Sequence, residues 1–105
     1  MTTYLLTYHG GEMPGSDEER EQSRVAWDEW FAALGPAVVV AGDPIGLVRT
    51  VHPDGTVNED GGADPVGGYS VIAADGFDEA LQMVSDCPIF EVGGSIQVGE
   101  TIPTM

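Results

Sequence analysis

The stretch VVVAGDPIGLV, residues 38–48, decides how the chain is read. Three successive valines lie within the apolar run 37–42, which reads as a strand buried on both faces. Gly42 ends the run, Asp43 and Pro44 turn the chain, and residues 46–51 (GLVRTV) resume as a second strand. An Asp-Pro step favours an extended residue followed by a turn, which gives Asp43 a structural role. A carboxylate at the mouth of a core strand can also face a pocket and serve there as a base. Both readings stay open for Asp43.

Upstream of this stretch lies a strongly marked helix, from about Asp17 to Leu34. Ser16 and Glu19 form the pattern of a capping box. Asp17, Glu18 and Glu19 put negative charge at the positive end of the helix dipole. Trp27, Trp30, Phe31 and Leu34 recur at the spacing of one apolar stripe, and Gly35-Pro36 stops the helix. Before it, TTYLLTY (2–8) alternates as a first strand, and HGGEMPG (9–15) is a loop. Downstream, HPDGTV (52–57) holds a Pro-Asp-Gly turn that folds the chain back as a hairpin. NEDGGADPVGG (58–68) is a polar, glycine-rich loop, and YSVIAA (69–74) is the next strand. Phe77, Ala80, Leu81 and Val84 mark a second helix, capped by Asp75 and closed at Cys87-Pro88. SIQVGET (95–101) alternates as a last strand.

The order is β-α-β-β-(β)-β-α-β, an α+β chain of ferredoxin-like βαββαβ type with an extra hairpin strand. Its 105 residues make one domain, 1–105. Two helices can cover only one face of such a sheet, and the other face needs a cover. A second copy of the chain, packed face to face about a two-fold axis, supplies one, so a homodimer is expected.

Composition narrows the partners. The chain has 18 acidic residues against three basic ones, all arginine, for a formal charge of −15. Such a field repels nucleic acid and anionic membrane surfaces. No apolar run is long enough to span a bilayer. The N-terminus lacks the pattern of a signal peptide, and a lone cysteine suits a reducing compartment, so a cytoplasmic location is expected. None of the glycine pairs has the spacing of a phosphate-binding loop, and no EF-hand spacing appears. No cofactor and no metal site is expected. Cys87 reads as a small buried apolar residue.

The pieces YLLTYHGG, VVVAGDPIG, GGYSVIAADGFDEALQMVSDCP and GSIQVGET, in this order over nearly the whole chain, resemble the YCII-related domain in its DGPF branch. The resemblance implies a dimeric α+β barrel. It also implies either a small-molecule enzyme working by proton transfer, such as an isomerase or a dehydrochlorinase, or a regulatory module without catalysis. The histidine that such enzymes carry on the first helix has no counterpart here, where Trp27 and Trp30 stand, and GGADPVGG replaces the DGPF tetrapeptide.

The remaining candidates follow from residue type and position. His9, at the end of the first strand, is the acid–base candidate, with Asp43 as the carboxylate that would orient it. Tyr8, Trp27, Trp30 and Tyr69 are candidates for lining a pocket for a small organic molecule between helix 1 and the sheet. Packing alone also accounts for these four. His52, before the Pro-Asp-Gly turn, reads as exposed.

Overall fold

The first helix shows how local chemistry sets the frame. In the computed structural model, which describes residues 1–104, α1 runs Asp17–Leu34. The Ser16 hydroxyl accepts the Glu19 backbone N–H at 3.1 Å. The Glu19 carboxylate turns back to accept the Gly15 N–H at 2.6 Å, so the reciprocal half of the capping box lands one residue upstream of the cap. At the far end Gly35, at φ 59°, donates its N–H to the Phe31 carbonyl, a conformation that suits glycine.

Six strands accompany two helices. They are β1 (Thr2–Gly10), β2 (Val38–Val40), β3 (Thr50–Val51), β4 (Val57–Asn58), β5 (Val66–Ala74) and β6 (Gly94–Glu100), with α2 (Phe77–Val84) between β5 and β6. The main sheet has the order β2-β5-β1-β6, with every neighbouring pair antiparallel. Each helix therefore joins two strands separated by a third, as in the split βαβ arrangement of ferredoxin-like folds. The fold is α+β and compatible with that class. The predicted hairpin forms, but as a separate two-stranded sheet of β3 and β4 rather than as an addition to the main one.

The core lies between the sheet and both helices. Tyr4, Leu6 and Tyr8 of β1 and Ile72 and Ala74 of β5 pack with Trp30 of α1 and Ala80 and Val84 of α2. Because strand side chains alternate, Thr3, Leu5, Thr7 and His9 point to the other face, which carries no helix.

Several expectations need correction. The run 37–42 is not a strand buried on both faces: β2 is three residues long, lies at the sheet edge, and leaves Val39 and Val40 54% and 43% exposed. A continuous apolar run does not distinguish a central strand from an edge strand. Within 46–51 only Thr50 and Val51 pair as strand, and Val66–Gly68, read as loop, belong to β5. Finally, α2 begins after Gly76, which caps without a side-chain bond, so Asp75 is not the cap. That helix ends at Val84, before Cys87-Pro88, and Pro88–Val92 form a short 3-10 turn.

Candidate functional site

The sheet face without helices carries no charged side chain along its central strands. The register sets Thr3 opposite Ala73, Leu5 opposite Val71 and Gly99, and Thr7 opposite Tyr69 and Gln97. In a chain with 18 acids among 105 residues, an uncharged patch of this extent stands out from the rest of the surface. Leu5, at its centre, is 41% exposed.

His9 sits at the end of this face and is only 6% exposed. The loop before β5 covers it. Its Nδ1 lies 3.2 Å from the backbone carbonyl of Asp64 and 3.4 Å from the Asp64 carboxylate. Its Nε2 lies 2.8 Å from the Thr7 hydroxyl, two residues back on the same strand face. The partners dictate the tautomer. A carbonyl can only accept, so Nδ1 carries the hydrogen, and Nε2 presents a lone pair to the Thr7 O–H. The result is a chain Thr7–His9–Asp64 in which a hydroxyl donates to an imidazole whose other side is held by a carbonyl and faces a carboxylate. That carboxylate is 64% exposed, so solvent screens it, and the carbonyl does most of the positioning.

A hollow of about 460 Å³ lies beside Thr7, lined by Leu5, Thr7, Gln97, Val98 and Gly99. It is shallow and open to solvent rather than an enclosed cavity. The arginines are engaged elsewhere: Arg20 with Asp17, and Arg24 with Glu21 and Asp28 on α1, while Arg49 donates to the Glu59 carbonyl. Among the described residues, no group of three or more His, Cys, Asp or Glu side chains gathers as a metal site would require.

The structure separates the residues singled out in the sequence. His9 and Tyr69 belong to the helix-free face. Tyr8, Trp27 and Trp30 lie on the other side, where aromatic rings occupy the space between α1 and the sheet: Trp27 meets Tyr8 edge-on at 4.9 Å and Trp30 at 5.7 Å. The Tyr8 hydroxyl donates to Ser70 Oγ at 2.7 Å, and Ser70 donates to the Ala41 carbonyl at 2.6 Å. Burial pushes the Tyr8 phenol up to about 12, so it stays neutral and serves as a structural donor. Asp43 is exposed. Its backbone carbonyl accepts the Tyr69 N–H at 3.3 Å, and its side chain makes no hydrogen bond or ion pair among the described residues. The carboxylate beside His9 is therefore Asp64, not Asp43. His52 is exposed, as expected. Thr7, Asp64 and Gln97 were missed. The Thr-x-His alternation in β1 was the available signal for Thr7, since residues two apart share a strand face.

Comparison with protein-family models, with curated proteins and with solved structures returned no match.

Cys87 is buried, and burial pushes its thiol up to about 11. It is held as the neutral thiol at physiological pH, which makes it a poor nucleophile. Iodoacetamide at pH 8 is expected to leave it unmodified until the protein is denatured. The folded value lies above the ordinary 9.0, so the unfolded chain ionises first. Stability from this group is intact below pH 9 and is lost as the pH rises through about 11. Thermal melts across that window check the sign, and Cys87→Ala flattens the slope.

Proposed function

We propose that the chain is a homodimeric protein of the YCII-related kind that takes a small organic molecule at its helix-free sheet face, with His9 as the proton-transfer group. The observation that carries this reading is the buried, doubly anchored imidazole of His9, whose hydrogen-bond partner Thr7 lines an open hollow. A histidine held this way offers a lone pair in one fixed direction, as a general base requires. The pocket placed by sequence between α1 and the sheet moves to the opposite face, because aromatic side chains fill the first location.

The dimer rests on the same face. It carries Leu5, Val71 and Ala73, with exposed Val40 of the edge strand opposite Val71, and none of the charges that crowd the rest of the surface. Two such faces can meet without bringing carboxylates together, which elsewhere on a chain of charge −15 would be costly. The ligand is expected to be uncharged or cationic and partly apolar.

Sedimentation equilibrium is expected to give a dimer, and Leu5→Glu a folded monomer, because two buried carboxylates would face each other. In the wild type, small carbonyl compounds are expected to shift the amide resonances of Thr7, His9 and Gln97. A wild-type monomer, or shifts confined to residues away from this face, would count against the proposal.

A further inference from the structure

The hydroxyl at the end of the histidine chain has a role that proton transfer by His9 alone does not use. We infer that Thr7 is a nucleophile for acyl transfer, activated by His9, and that the site accepts small uncharged esters or lactones. This rests on the proposed role of the helix-free face, and it adds the group that attacks. Thr7 Oγ1 lies 2.8 Å from His9 Nε2, within the distance at which a base takes a hydroxyl proton. The backbone carbonyl of Asp64, 3.2 Å from Nδ1, fixes the tautomer that leaves Nε2 free to accept. The Asp64 carboxylate, 3.4 Å away, faces the positive charge that the ring acquires. Thr7 lines the hollow, and so does Gln97, its direct cross-strand partner on β6. The side-chain amide of Gln97 is thus placed to donate to an oxyanion forming at a carbonyl attacked by Thr7. Leu5 supplies the apolar wall for the acyl group. The surrounding negative charge and the lack of an arginine at the hollow disfavour an anionic substrate.

The step balances. Thr7 Oγ1 bonds to the ester carbonyl carbon while its proton passes to His9 Nε2. The bond from that carbon to the alcohol oxygen breaks, and His9 returns the proton to the leaving alkoxide. Water then attacks the acyl-Thr7 ester, gives its proton to His9, and releases the carboxylic acid as His9 reprotonates the Thr7 oxygen. No oxidant, reductant or metal is needed. Thr7, His9 and Gln97 are the catalytic residues, and Asp64 is a positioning residue.

The test uses p-nitrophenyl acetate with the wild-type protein, following p-nitrophenolate release and locating the acetyl group by peptide mass mapping. A burst is expected, with the acetyl on Thr7. Thr7→Ser retains the burst. Thr7→Val and His9→Gln each lower the rate by about 100-fold. Gln97→Leu slows it roughly tenfold, less than for a buried donor because Gln97 is exposed. Asp64→Asn lowers the acylation rate while KM stays the same, which a merely structural role would not produce. Unchanged release in Thr7→Val with loss in His9→Gln overturns the nucleophile but leaves the histidine reading standing. Release unchanged in both variants, no burst in the wild type, or acetylation only at the N-terminus overturns the inference, and indifference to both variants removes the histidine reading as well.

Discussion

Gly42→Ala is expected to destabilise the protein by about 2–5 kcal/mol, the combined scale of a left-handed backbone penalty and an overpacked contact. Gly42 has φ +78°, and a Cβ there would lie 1.8 Å from the Tyr69 carbonyl oxygen and 2.7 Å from its carbon. Both obstacles are backbone, so no side-chain rotation relieves them. Movement of the chain at Gly42 would disturb three contacts that tie this segment to the edge of β5: the Tyr69 N–H to the Asp43 carbonyl, the Pro44–Gly68 bridge and the Ser70 hydroxyl to the Ala41 carbonyl. A loss of this size is a large share of the 5–15 kcal/mol that holds an ordinary domain folded. Urea melts measure it, with Gly46→Ala as the control, since a Cβ at Gly46 meets nothing within 4 Å. If Gly42→Ala melts like the wild type, the chain does not run beside β5 where the structure puts it.

The second large effect is at Trp30. It is 6% exposed, packs 5.0 Å from Phe31 and 5.7 Å from Trp27, and belongs to the main core cluster. Trp30→Ala is expected to cost about 3–5 kcal/mol. Its indole Nε1 is buried without a hydrogen-bond partner, which makes the residue unusual. A buried donor left unpaired costs about 1–3 kcal/mol on its own. Trp30→Phe removes that donor and keeps most of the ring, so it is expected to lose much less than the alanine variant. Thermal denaturation of the two variants side by side measures the difference. Equal losses would mean that the indole N–H is satisfied in solution.

The frame was legible because its signals are local. The 3.6-residue recurrence from Trp27 to Leu34, the Ser16 cap and the Gly35-Pro36 stop located α1 and its ends. The alternation in TTYLLTY and the Pro-Asp-Gly turn gave β1 and the small hairpin. The Val38–Val40 run misled because edge and centre differ in neighbours, not in sequence. Asp75 misled because Gly76, one step later, could take the extended cap geometry. The site was half visible. His9 was read from its type and its place at a strand end, but the partner chosen for it, Asp43, was the one that turn chemistry already explained. Asp64 lies in a polar loop whose path over the sheet depends on tertiary packing, with no period or motif to mark it. Gln97 became relevant only through the β1–β6 register, which no local pattern encodes.

The claim on which the functional account depends is that His9 is a fixed base with its lone pair on Nε2. Long-range ¹H–¹⁵N correlation of the His9 ring, at a pH well above the ordinary histidine range, measures this directly. The account predicts a single neutral tautomer, with the hydrogen on Nδ1 and an unprotonated Nε2 whose shift moves in Thr7→Val. A ring protonated on Nε2, or one averaging between the two tautomers, would contradict it.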